Sequence, residues 1–158
     1  MRYILLDRIT ALDIGVRATG IKCVTLTDEV LHDHFPDHPM LPGVLLIEAA
    51  AQLAGYLLEI STQTNNEDPQ RAVLVQIDRV KLSRPAVPGD AVELTAALGP
   101  MLDAAARVDV AASIAGERAM RGQLTFMLRG GASARVHEQR RQLYRLWTRD
   151  LEGGPFVV

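Results

Sequence analysis

The chain has 158 residues, 48% of them hydrophobic and 23% charged, a length that suits one domain with a real core and is short for two enzyme domains. Its composition is that of a globular protein rather than a disordered or collagenous one. Seventeen Lys and Arg against nineteen Asp and Glu give a formal net charge of −2, so no overall field recruits nucleic acid, and the single cysteine, Cys23, cannot close an internal disulfide.

The N terminus opens on the strand-like run Tyr3-Ile4-Leu5-Leu6 rather than on a basic segment and a long apolar core. Nothing there marks the chain for secretion, and the cytoplasm is the expected compartment. Residues 2–8 and 19–27 are rich in Ile, Leu, Val and Thr, with Gly15 between them and Gly20 at the start of the second, which predicts two strands joined as a hairpin. Residues 29–43 carry Pro36, Pro39 and Pro42 at a spacing of three, with His32, His34 and His38, and close on Gly43. Each proline fixes its own φ and restrains its predecessor, so this segment is an ordered loop.

Val44 to Ile60 reads as a helix roughly 25 Å long, apolar nearly all round, which belongs in the middle of a domain. Its small residues Ala49, Ala50, Ala51, Ala54 and Gly55 permit close approach to a sheet. The apolar stretch from Val44 to Leu58 is interrupted by Glu48 and Gln52 and falls short of the roughly 20 residues of a membrane span, so no membrane association is expected. Residues 61–70, with Pro69, form a polar linker. Four strand-like segments follow, at 71–82, 91–98, 105–115 and 118–128. In the last, Met120, Leu124, Phe126 and Leu128 alternate with Arg121, Gln123 and Thr125, the period of a half-buried antiparallel strand. Pro88-Gly89-Asp90 and Ala115-Gly116-Glu117 supply turns. The order of strand, strand, helix and four strands predicts an α+β architecture, an antiparallel sheet wrapped around one central apolar helix.

The main domain is therefore expected over 1–129, with a C-terminal extension over 130–158. Gly130-Gly131 opens that extension, and a helix is predicted over 135–149, with Val136, Leu143, Tyr144 and Trp147 on one face. Arg129, Arg135, Arg140, Arg141, Arg145 and Arg149 make the region basic. The plain reading is a solvated helix packing an apolar stripe on the sheet or on a partner subunit; the sharper one is a docking surface for an acidic carrier protein.

The segment from Leu31 to Gln52 carries the chemistry. His32, His34, Asp37 and His38 approach the H-x-H-x-D-H pattern of binuclear metallohydrolases, but Pro36 displaces the Asp-His pair and the only later histidine is His137. No metal site is expected. Glu48 is an ionisable group in an apolar helix, where it either hydrogen-bonds a neighbouring loop or serves as a proton donor or acceptor tuned by burial. Gln52, one turn on, shares its face. Pro42 and Gly43 precede the helix, so the N–H groups of Gly43, Val44 and Leu45 lack intrahelical acceptors and stand ready to polarise a carbonyl, while glycine lets a substrate approach. A base at His34, an acid at Glu48 and donors between them suit proton abstraction beside a carbonyl with loss of a β-hydroxyl.

His34-Phe35-Pro36, Pro39, Pro42-Gly43, Glu48 and Gln52 together resemble the signature of the FabZ-type β-hydroxyacyl-acyl carrier protein dehydratases. Leu5-Leu6-Asp7-Arg8, Ile77-Asp78, Arg84-Pro85 and Val87-Pro88-Gly89-Asp90 extend the likeness over roughly residues 3–129. The resemblance implies a hot-dog fold and a homodimer, or a higher oligomer built from it, with His34 from one chain and Glu48 from the other. It implies His34 as base at C2, Glu48 as proton donor to the departing hydroxyl, and the backbone around Gly43 and Val44 on the thioester oxygen. Pro42 and Gln52 support the site, and Phe35 and Val73 border the acyl tunnel. The substrate arm is phosphopantetheine on an acyl carrier protein, with no metal or diffusible cofactor. The related isomerising dehydratases carry aspartate where this chain has Glu48, which favours plain dehydration in fatty-acid or polyene and polyketide synthesis.

Three departures stand out. Asp33 replaces the glycine usual before the histidine, and Val73 stands where many members place an aromatic gate. The segment that usually precedes the first strand is not seen, and the tail is longer. A hot-dog thioesterase and a non-catalytic hot-dog partner subunit are the alternatives.

Overall fold

The computed structural model describes residues 3–63, 69–102 and 104–157. In chain order the elements are β1 (Arg8–Asp13), β2 (Arg17–Cys23), a 3-10 turn (Glu29–Leu31), α1 (Gly43–Thr62), β3 (Arg71–Leu82), β4 (Ala91–Leu102), β5 (Ala105–Ile114), β6 (Glu117–Arg129) and α2 (Ala134–Thr148). The strands form one antiparallel sheet in the order β1-β2-β4-β5-β6-β3, which leaves β1 and β3 as edges. This is the predicted α+β plan.

Strand periodicity explains the packing. Val92, Leu94 and Ala96 of β4, Val108, Val110 and Ala112 of β5 and Leu124 and Phe126 of β6 alternate inward. They enclose Leu46, Ala49, Ala50, Leu53, Ala54, Leu57 and Leu58 of α1. The helix runs 20 residues, longer than expected, and by length and composition alone it could cross a membrane; here the sheet buries it instead. Ala115 and Gly116, with φ of 51° and 80°, make the tight β5–β6 turn, the left-handed pair that matches the twist of a hairpin.

The first two strands differ from the sequence reading: β1 shares only Arg8 with the predicted 2–8 and runs on into the predicted turn region, and β2 spans Arg17–Cys23 rather than 19–27. The first strand begins at Arg8, not at residue 2, because the backbone of Leu5 and Leu6 is drawn to the side chain of Gln52 on α1 before pairing with β2 begins. The predicted linker lies largely at 64–68, outside the described residues.

The C-terminal extension completes the same core. Ser133 caps α2 by accepting from the Val136 N–H at 3.4 Å. Tyr144 and Trp147 are buried against Tyr56, and the Trp147 indole donates to the Leu6 carbonyl at 2.7 Å. Glu59, which the sequence reading passed over, is buried at the far end of α1. Its carboxylate accepts from Arg71 and from the Tyr144 hydroxyl, each at 2.6 Å, and from the Ala72 N–H at 3.0 Å. Arg71 also contacts His137 Nδ1 at 2.6 Å, while its Nε is buried with no partner among the described residues. Burial, reinforced by the Glu59 charge, pushes the Tyr144 phenol up and keeps it a donor.

This pair is enclosed, so removing one partner strands the other's charge. Arg71→Leu should cost about 3–5 kcal/mol in urea unfolding at fixed protein concentration, and adding Glu59→Leu should recover most of that. A single variant as stable as the parent would show that the pair does not anchor α2.

Candidate active site

The proline-rich loop is held by its own backbone. Phe35 and His38 exchange N–H to carbonyl bonds at 3.2 and 3.0 Å, the Met40 N–H donates to the His34 carbonyl at 2.9 Å, and the Leu41 N–H donates to Ala86 at 2.8 Å. The His34–Phe35 peptide bond is cis. His34 Nδ1 lies 2.9 Å from the Met40 carbonyl, which can only accept, so Nδ1 carries the proton and Nε2 keeps its lone pair. The Phe35 ring stacks on the imidazole with centroids 4.3 Å apart and is 52% exposed. The loop thus presents a half-buried, oriented imidazole whose Nε2 has no hydrogen-bond partner among the described residues.

At the start of α1, Pro42 is the N-cap residue and its carbonyl accepts from Leu45 at 2.9 Å and Leu46 at 3.2 Å. The Leu45 N–H is therefore occupied, contrary to the sequence expectation. The N–H groups of Gly43 and Val44 have no acceptor among the described residues, and the Val44 side chain is exposed. They remain as two donors at the positive end of the helix dipole. A Cβ at Gly43 would meet only Leu82 Cδ1, the far end of a half-exposed side chain that can move aside.

Glu48 lies one and a half turns into α1 and is half-buried rather than enclosed as the sequence suggested. Gln52 Nε2 donates to Glu48 Oε1 at 3.0 Å and also reaches the Tyr3 carbonyl at 3.1 Å. Its Oε1 accepts from the Leu5 and Leu6 N–H groups at 2.9 and 3.3 Å. Because both ends of the amide are committed, its orientation is fixed, and with it one oxygen of Glu48. The other oxygen has no hydrogen-bond partner among the described residues, and the side chain borders two cavities.

The structure does not bring all the predicted residues into one place. Glu48 borders two cavities, and neither contains a residue of the His34 loop. The groove beside α1 is lined by Ala72 and Leu74 of β3, whereas Val73 points to the opposite face and is 47% exposed. Arg140 of α2, not singled out from sequence, borders both cavities with Glu48.

The sequence profile of the FabA-like domain matches residues 1–122. A protein from Clostridioides difficile strain 630, described as 3-hydroxyacyl-acyl-carrier-protein dehydratase FabZ, is 35% identical over 126 residues, 80% of this chain and 87% of that one. The chain belongs to the FabA-like family.

Solved structures with low identity bear on the fold alone. A hot-dog-like protein from Thermanaerovibrio acidaminovorans superposes with a TM-score of 0.60 at 19% identity, covering 89% of this chain and 95% of that one. The dehydratase heterocomplex ApeI:P from Xenorhabdus doucetiae superposes at 0.65 with 16% identity, covering 87% and 89%. The fold is a hot-dog fold, and within it the FabA-like match ends before α2 begins.

The Gln52 amide ties the first residues of the chain to Glu48. Gln52→Leu should leave the Leu5 and Leu6 N–H groups without their acceptor, lower stability by about 1–3 kcal/mol, and speed amide exchange at those two residues selectively. Unchanged exchange there would mean that another group holds the segment.

Proposed function

We propose that the chain removes water from a (3R)-3-hydroxyacyl thioester carried on the phosphopantetheine arm of an acyl carrier protein, giving the trans-2-enoyl thioester. The observation that carries this reading is the His34 imidazole, fixed through Nδ1 and basic at Nε2, on a loop leading straight into two unpartnered N–H groups at the start of a helix bearing Glu48. The FabZ relatives supply the reaction class.

The chemistry follows from the groups present. His34 Nε2 takes the proton from C2. The electron pair moves toward the thioester oxygen, where the Gly43 and Val44 N–H groups stabilise the developing enolate. As the C2–C3 double bond forms, the C3–O bond breaks and Glu48, in its acid form, gives its proton to the hydroxyl, which leaves as water. The proton on His34 then returns to Glu48 by way of solvent. No metal or diffusible cofactor takes part, so a chelator should leave the rate unchanged.

The site is built from two copies of the chain. β3 is a 12-residue edge strand whose outer face shows Val73, Val75 and Ile77, each about half exposed, and such an edge is a template for pairing with another chain. Pairing through β3 would extend the sheet into a second copy and carry each Glu48 toward a partner's His34, with Phe35 beside the acyl chain. The reaction belongs in the cytoplasm with the carrier protein, in fatty-acid or in polyene and polyketide chain synthesis.

His34→Ala and Glu48→Gln should each lower kcat by about 10²–10⁴-fold while leaving the fold intact. Mixing the two inactive proteins under subunit exchange should restore part of the activity. Heterodimers proven by mass that stay inactive would place both groups in one chain.

A further inference from the structure

Glu48 borders two cavities, and only Gln52 and Arg140 share both of them with it. The Gln52 amide is committed at both ends, which leaves Arg140 as the group that meets whatever approaches Glu48 by either opening. Among the described residues Arg140 is also the only cation lining the two cavities, and it makes no hydrogen bond and no ion pair, not even with Glu48. Its place is fixed by its neighbours on one face of α2. His137, three residues before it, meets Arg71, and Tyr144, four residues after it, donates to the buried Glu59. Arg140 is thus a half-buried guanidinium, held on a rigid helix, that has given up part of its hydration with no counter-ion among the described residues of its own chain.

The His34 loop carries the opposite charge. Residues 29–38 include Glu29, Asp33 and Asp37 and no Lys or Arg. Asp33 and Asp37 are exposed, and their carboxylates have no partner among the described residues. Asp37 lies in the turn that Phe35 and His38 close, whereas Asp33 immediately precedes His34, and consecutive Cα atoms lie about 3.8 Å apart. An arrangement that brings a partner's His34 to Glu48 therefore brings the same partner's Asp33 to the surroundings of Arg140.

We propose that Arg140 pairs with the partner subunit's Asp33 and so holds the partner's His34 opposite Glu48. The inference rests on the two-chain dehydratase reading above. It makes α2, a helix beyond the FabA-like match, part of the subunit contact that completes the site. By symmetry the pair forms twice in each dimer. Arg140 is a positioning residue, acting on the reaction through the placement of His34.

Arg140→Asp and Asp33→Arg each set like charges against each other at both sites of a homodimer. Neither side chain belongs to the core, so both variants should melt close to the parent. Each alone should weaken the dimer and lower kcat/KM by about tenfold or more, while Arg140→Lys, which keeps the charge, should retain most of the activity. The decisive arm mixes the Arg140→Asp and Asp33→Arg proteins under subunit exchange. In the mixed dimer each site again sets opposite charges together, so heterodimers should exceed their random share by native mass and recover most of the parent rate. A contact within one chain would instead be restored only when both substitutions share that chain. Random mixing, heterodimers as slow as either variant, or rescue of Arg140→Asp by Asp37→Arg and not by Asp33→Arg overturns the pairing. The mass readout needs no turnover. Preferred heterodimers alongside a parent protein that dehydrates nothing keep the pairing and reject the dehydratase reading; random mixing alongside an active parent does the reverse.

Discussion

The structure depends on one constraint, that a helix apolar on nearly every side must be enclosed while its few polar side chains still find partners. The sheet encloses α1 through the inward residues of β4, β5 and β6. Glu48, Gln52 and Glu59 fall near one stripe of the helix, and three other segments are organised around them. Gln52 captures the chain before β1, Glu59 captures Arg71 and the Tyr144 hydroxyl of α2, and among the described residues Glu48 receives only the Gln52 amide. A carboxylate with one oxygen fixed and the other without a partner among those residues differs from a structural one, and Glu59, with both oxygens used, shows the contrast within the same helix.

The second organising feature is the rigid entry into α1. Three prolines and a set of local N–H to carbonyl bonds hold the His34 loop, so the imidazole is oriented before any substrate arrives. The same chain direction brings that loop directly to the Gly43 and Val44 donors. Base and oxyanion donors therefore come from one continuous segment, while the acid stands further along the helix and faces cavities the loop does not reach.

Much of this was legible in the sequence because period-two and all-apolar patterns report burial directly. β3 falls at the predicted 71–82, and the core helix, the following strands and α2 fall within a few residues of expectation. The early start assigned to the first strand reflects a contact no local pattern encodes, the capture of the Leu5 and Leu6 N–H groups by a side chain 46 and 47 residues away. Glu59 was overlooked for a similar reason, since its partners Arg71 and Tyr144 are distant in sequence and only the fold makes the carboxylate internal. The candidate site was legible as a list of residues, because His34, Pro42, Gly43 and Glu48 lie within one short segment. Its geometry was not. Leu45 proves to be capped, Gly43 packs against Leu82, and Val73 faces away from the groove that its neighbours line.

The most direct test of the account follows the acyl group itself. Purified protein is incubated with a 3-hydroxyacyl chain on an acyl carrier protein, and the carrier-bound mass is read over time in parallel with the His34→Ala variant. The account predicts loss of one water from the bound acyl group, with the thioester intact, and no such loss with the variant. Release of free hydroxy acid, or an unchanged acyl mass with the parent protein, would contradict it.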